Sequence, residues 1–299
     1  MRKLPFRALL LLAGVLALSA AAKAQVGIGV SVRIGPPALP VYEQPACPGE
    51  GYIWTPGYWA WGPDGYFWVP GTWVISPRVG FLWTPGYWGW GGGLYAWHAG
   101  YWGPHIGFYG GINYGFGYVG VGYAGGYWRG GAFVYNRAVT NVNVTVVHNT
   151  YNQTVVNNNV TVNRVSYNGG AGGIAARPTP AEETAAREQH IAPTGLQTQH
   201  EHAAASNRAL LASANHGRPP IAATAKPGEF SGRGVVAAHG AVNERAQERL
   251  AARTENVRAS AQPNNAKLQQ PGAQNHTNPA PKPKNQPKEK NNGHNEEKR

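Results

Sequence analysis

A tryptophan motif, Trp-x-x-Gly-x-Trp, occurs four times at nearly constant spacing and limits what this chain can fold into more than any other feature. The copies are Trp54-Thr-Pro-Gly57-Tyr-Trp59, Trp68-Val-Pro-Gly71-Thr-Trp73, Trp83-Thr-Pro-Gly86-Tyr-Trp88 and Trp97-His-Ala-Gly100-Tyr-Trp102. They fall into two 29-residue units, 51–79 and 80–108, because Trp54/Trp83, Trp59/Trp88, Trp61/Trp90, Trp68/Trp97 and Trp73/Trp102 all stand 29 positions apart. Repetition at this period argues for stacked or meandering strand units rather than a catalytic fold. All eleven tryptophans lie between Trp54 and Trp128.

Turn chemistry turns the repeat into a strand scheme. Gly62-Pro63-Asp64-Gly65 and Gly91-Gly92-Gly93-Leu94 sit between aromatic runs and read as hairpin loops. Such loops set Trp61 opposite Tyr66, Trp59 opposite Trp68, Trp90 opposite Tyr95 and Trp88 opposite Trp97. The Pro-Gly inside each motif, read as a two-residue turn, would also set Trp54 against Trp59 and Trp68 against Trp73. L-Pro-Gly prefers a type II turn, whose twist splays a tight hairpin, so these corners conflict with a simple meander. The rings have two competing roles. They can pack across strands, each aromatic pair adding ~0.5–1.5 kcal/mol beyond burial, or they can form an exposed platform for sugar rings or lipid headgroups.

The first residues read as an export signal. Arg2, Lys3 and Arg7 precede an apolar run at 8–22, and Ala22-Lys23-Ala24 is a small-x-small cleavage site before Gln25. No later run is apolar and long enough to span a bilayer. The only cysteine, Cys47, lies more than twenty residues past that site and cannot form an internal bridge, so packing and hydrogen bonds must hold the fold. A Pro-rich segment, 25–49, leads into the repeats.

Charge separates the rest. From residue 25 to 177 three acids face six basic residues, and from 178 to 299 eleven acids face sixteen. The balance is too modest for a nucleic-acid footprint, and no nucleic-acid partner is expected; it suits loose attraction to anionic envelope surfaces. A Gly/Tyr tract follows the repeats, with eleven glycines in residues 107–131. Alternating Val142, Val144 and Val146, then Val160 and Val162, predict strands around a corner at 148–153 within a 109–173 segment. Such low-charge strands would also suit self-association by edge pairing. The glycine run at 169–173 is expected to close the β region. Beyond it, Thr179-Pro-Ala-Glu182 is a capping box, and 196–214 and 242–258 are further helix candidates within 174–261. The tail, 262–299, has the composition of a disordered segment.

Catalytic signatures fail. Gly115-Phe-Gly-Tyr-Val-Gly120 matches the dinucleotide fingerprint only in letters, because no acid follows at the required distance. His200-Glu201 begins a zinc-protease motif whose second histidine would fall at Ala204, so His200 and His202 read as polar helix or linker residues. Asp64, the chain's only aspartate, is explained by its turn. No enzyme activity, cofactor or metal is expected.

The phrase Trp-Thr-Pro-Gly-Tyr-Trp-x-Trp followed by Tyr-x-Trp-x-x-Gly-x-Trp resembles the bacterial WXXGXW (YXWGXW) repeat proteins. The stretch from Asn163 to Ile174, followed by Arg177-Pro-Thr-Pro180, resembles the connector of longer exported members. The resemblance implies an exported protein, and some short members are outer-membrane lipoproteins. This chain lacks their lipidation cysteine, so anchoring does not carry over. The expectation is therefore an all-β aromatic repeat domain of short antiparallel hairpins or a meander, followed by a partly helical, partly disordered region. Its leading role is structural or interactive at the cell envelope, in the periplasm, at the outer membrane or outside. The alternatives are a module binding polysaccharide or peptidoglycan through exposed tryptophans, contact with an envelope protein, and self-association through the Val/Asn strands.

Overall fold

The computed structural model describes residues 30–155 and 164–241. The export signal with its Ala24/Gln25 junction, the Val160/Val162 alternation, the helix candidate at 242–258 and the tail lie outside the described residues.

Four strands make unit 1: β2 (Tyr52–Thr55), β3 (Tyr58–Gly62), β4 (Gly65–Val69) and β5 (Gly71–Ile75), after a short β1 (Ser31–Val32). The expected tip register holds, with Trp59 opposite Trp68 and Trp61 opposite Tyr66, and it closes one step further at Gly62 opposite Gly65. The expected Pro-Gly turns do not form. Trp54 pairs with Trp73 rather than Trp59, because β2 pairs with β5 outside the β3–β4 hairpin. Unit 1 is thus one long hairpin, bent at a level where Pro56-Gly57 in one arm faces Pro70-Gly71 in the other. Proline lacks the N–H a ladder needs, so pairing lapses there and resumes in the same register.

Unit 2 repeats this with β6 (Leu82–Thr84), β7 (Tyr87–Gly91), β8 (Leu94–His98) and β9 (Tyr101–Gly103). Trp83 faces Trp102, Trp88 faces Trp97, and Gly92 and Gly93, at φ 58° and 84°, make a two-residue tip turn. That is the type I′ geometry whose twist matches a hairpin.

The motif's glycine is required by space, not by φ. A Cβ on Gly57 would stand 2.8 Å from the Gly71 nitrogen and against the Trp68 ring, and one on Gly71 would meet the Trp54 ring at 2.6 Å. Gly86 and Gly100 repeat the arrangement with Trp97 and Trp83. Each first tryptophan therefore covers the glycine of the other copy in its unit, and the outer tryptophans pair reciprocally. The ring pairs Trp54–Trp73 and Trp59–Trp68 share one geometry, 5.2 Å between centroids at 66°. The two copies within a unit thus make the same contacts with each other in exchange.

Later segments complete the sheets. β10 (Asn113–Gly115) and β11 (Tyr118–Val119) form a hairpin over Phe116-Gly117, both at positive φ. The dinucleotide-like string is this hairpin, not a strand-to-helix turn. The Tyr118 hydroxyl donates to the Trp83 carbonyl at 2.7 Å and lies 3.3 Å from that of Trp54, the same position one repeat earlier. β12 (Gly126–Arg129) pairs with β13 (Ala132–Asn136), which pairs with β14 (Thr150–Tyr151).

Val142, Val144 and Val146 form no strand. The Asn143 side chain accepts the Thr145 N–H at 2.9 Å and its carbonyl accepts from Val146, so the backbone turns instead of extending. Val144 and Val146 are exposed and Val147 is buried.

The β region also continues past the 169–173 glycines. After β15 (Tyr167–Asn168) come β16 (Ala223–Thr224), parallel to β5, and β17 (Val235–Val236). The capping box opens α1 (Pro180–Ala185) as expected. The longer candidate divides into α2 (Gly195–Ala205), with its own Thr194/Gln197 capping box, a 3₁₀ turn at Arg208–Leu210 and α3 (Ala212–Asn215). Asn207, whose side chain accepts the Ala209 N–H, provides the local alternative that interrupts the helix. Among the described residues no helix is long and apolar enough to cross a membrane.

Candidate functional site

The ten candidate tryptophans do not form one exposed face. Trp54, Trp59, Trp68, Trp73, Trp83, Trp88 and Trp102 are buried, and Trp97 is half-buried, stacked on Tyr58 at 5.0 Å and 18°. Their N–H groups explain the Pro-rich segment before them. Trp59 donates to the Ala38 carbonyl at 3.2 Å and Trp73 to that of Pro45 at 2.9 Å. The residues at 34–47 thus form an extended strap of acceptors along the hairpins, and the rings take the place of the absent disulfides.

Two rings remain at the surface. Trp61 and Trp90, equivalent positions at the hairpin tips, are 37% and 41% exposed. Each rests edge-on or tilted against the tyrosine opposite, Tyr66 at 4.8 Å and Tyr95 at 4.6 Å. Between the tips runs the segment around Ile34, whose carbonyl accepts the Tyr66 hydroxyl and whose side chain is 70% exposed. Gly35 fits here because a Cβ at this position would stand 3.1 Å from the Tyr95 ring. This surface can stack on a planar or apolar partner.

At the Pro-Gly corners a cavity of about 90 Å³ is closed by α2. It has room for a few waters and is well below the ~300 Å³ at which ligand sites begin. Tyr58 donates to Glu201 at 2.9 Å there. His200, expected to be a polar surface residue, is 2% exposed. Its Nε2 donates to the Pro70 carbonyl and its Nδ1 accepts the Gly228 N–H, both at 2.8 Å. Those two bonds fix the neutral tautomer and occupy both ring nitrogens. Burial lowers its pKa to about 4, against a smaller opposing effect of the Pro70 bond. Cys47 is buried too, donating to the Gly49 carbonyl at 3.0 Å, and burial raises its pKa to about 11. His200 is a weak base with both ring nitrogens engaged, and Cys47 is a buried, protonated thiol, so neither is placed to act as a catalytic base or nucleophile.

The corresponding face of unit 2 is more open. Beneath α1 lies a cleft of about 340 Å³, lined by Tyr87, His98, Tyr101, Phe108, Glu182 and Glu183. Tyr87 stacks on His98 at 4.4 Å and 5°, and Phe108 meets Tyr87 edge-on at 5.3 Å. Reading the sequence did not single out these residues. The signal was available in the 29-residue spacing, since Val69 and Thr72 of unit 1 become His98 and Tyr101 in unit 2.

A family model described as the WXXGXW repeat matches the chain in two copies, at residues 49–74 and 78–102. Each match holds two Trp-x-x-Gly-x-Trp motifs and one folded hairpin unit. No curated protein and no solved structure matches.

Proposed function

We propose that this WXXGXW repeat protein is exported and acts at the cell envelope or surface as a non-enzymatic structural or interaction protein. The observation that carries the reading is how the motif's residues are used. Glycines and tryptophans close on one another inside each hairpin, and only Trp61 and Trp90 of the ten candidates are left exposed at the tips. The aromatic repeat is used to build a packed body held without an internal disulfide, which suits a structural or interaction role.

The paired tip rings favour a second reading, polysaccharide or peptidoglycan binding by ring stacking. Self-association through the valine alternation has less support, because the 142–146 stretch offers no strand edge. Sedimentation of the protein with purified peptidoglycan separates the first two readings. Retention lost in the Trp61→Ala/Trp90→Ala double variant, with unchanged melting, favours the glycan module. No retention of the wild type leaves the scaffold reading in place. Export itself is tested by intact mass of the extracytoplasmic protein, expected to begin at Gln25; a retained leader or an acyl chain would count against it.

A further inference from the structure

Each repeat unit meets a helix that opens on a capping box, and the last residue of each box faces the aromatic corner. In α2 that residue is Gln197. Its side-chain oxygen accepts from Thr194 and from the Trp102 indole at 2.9 Å, and it lines the small closed cavity. In α1 the residue is Glu182, which lines the open cleft. One carboxylate oxygen, Oε2, accepts the Thr179 N–H at 2.8 Å and the Thr179 hydroxyl at 2.9 Å. The other, Oε1, is buried with no hydrogen-bond partner, in a residue only 3% exposed.

A buried carboxylate oxygen without a donor costs more than almost any other unmet polar group, so its persistence calls for a donor from outside the chain. The cleft indicates what kind. No Lys or Arg lines it, and Glu183 adds a second carboxylate at its exposed rim. The stacked Tyr87–His98 pair, Tyr101 and Phe108 supply ring surface, which attracts cations through the ring quadrupole. His98 adds little opposing charge near pH 7, because partial desolvation in the stack moves its pKa below the ordinary value. In unit 1 the same face is closed: Tyr58, the counterpart of Tyr87, already donates to Glu201 of α2. No corresponding bond joins Tyr87 to Glu182.

We infer that the cleft under α1 is a binding site for a primary ammonium group carried on a small ring or chain, its N–H donating to Glu182 and its body lying against Tyr87, His98 and Phe108. An N–H-bearing cation fits better than a quaternary one, since Oε1 needs a hydrogen-bond donor as well as a charge. The same chemistry is offered by an amino sugar and by an aliphatic diamine. The inference stands independently of the Trp61/Trp90 surface.

Titration calorimetry on the full chain with D-glucosamine, cadaverine and N-acetyl-D-glucosamine tests it. At least one of the two amines is expected to bind below about 10 mM, and N-acetyl-D-glucosamine about tenfold or more weakly, because acetylation removes the charge. The tighter amine identifies the source, an amino sugar or an aliphatic amine. Glu182→Gln keeps a working cap, as Gln197 does in the second box, and is expected to weaken binding about tenfold or more without lowering the melting temperature. His98→Val installs the unit 1 residue and removes the stacked wall, with a loss in the same direction. Binding of neither amine, equal binding of the acetylated sugar, or wild-type affinity in both variants would overturn the inference.

Discussion

The indole N–H of Trp88 donates to the backbone carbonyl of Trp59, its own counterpart one repeat earlier, at 2.7 Å. This bond joins the two units through equivalent positions, and the Tyr66–Trp88 ring contact at 5.4 Å adds to the seam. The 29-residue period is therefore a contact in space as well as a regularity of the sequence.

It follows that Trp59 and Trp88 matter by similar but unequal amounts. Both are almost wholly buried, at 1% and 2% exposure, so Trp59→Ala and Trp88→Ala should each cost about 3–5 kcal/mol. Trp88→Ala should be the more damaging, because the Trp59 carbonyl it strips of a donor is buried and bonded at 2.7 Å, whereas the Ala38 carbonyl that Trp59→Ala leaves is part-buried and bonded at 3.2 Å. Urea unfolding of both variants checks this; near-wild-type midpoints would mean that the rings are not core.

The motif glycines are expected to be intolerant even of alanine. Gly57→Ala and Gly86→Ala each place a methyl 2.8 Å from the glycine nitrogen of the opposite arm, and should cost about 1–3 kcal/mol or more by overpacking. Gly91→Ala, whose methyl would meet nothing within 4 Å, serves as the control and should stay within about 0.5 kcal/mol of wild type. Equal effects at Gly57 and Gly91 would show that the arms do not approach at the corner.

His200 predicts an acid sensitivity. Its folded pKa of about 4 lies below the ordinary 6.5, so the unfolded chain takes up the proton first as pH falls. Its contribution is complete above pH 6.5 and is lost between pH 6.5 and about 4, amounting to about 3 kcal/mol. Melting temperature against pH should fall through that window in the wild type and less steeply in His200→Asn. Parallel curves would remove His200 as the cause.

Cys47 should behave as an inert core thiol. Buried at 4% exposure, with its pKa raised to about 11, it is expected to resist iodoacetamide at pH 8 in the folded protein and react fully in denaturant. Rapid labelling of the native protein would show that the strap around Pro45 opens.

How much of this could be read in advance depends on the range of the interaction. The tip turns follow from Gly62-Pro63-Asp64-Gly65 and Gly91-Gly92-Gly93-Leu94 alone, and with them the Trp59–Trp68 and Trp88–Trp97 pairs. At the Pro-Gly corners the local turn preference is real, yet the ring pair Trp54–Trp73 and the glycine contact across the arms outweigh it. At 142–146 the valine alternation was outweighed by one asparagine side chain. His200 gave no pattern at all, since its partners, Pro70 and Gly228, lie far away in sequence. The cleft was hidden for a different reason: it turns on His98 and Tyr101, positions at which the two units differ, and on Glu182, far away in sequence.

The reciprocal closure of the motif has a consequence for how such proteins can grow. A single Trp-x-x-Gly-x-Trp copy presents a tryptophan that needs another copy's glycine and a glycine that needs another copy's tryptophan, so one copy added alone would be an unmatched half. Two copies added together complete each other. The natural quantum of this architecture is an even number of motifs, and lengthening or shortening by one should break a hairpin where lengthening by 29 residues would add one.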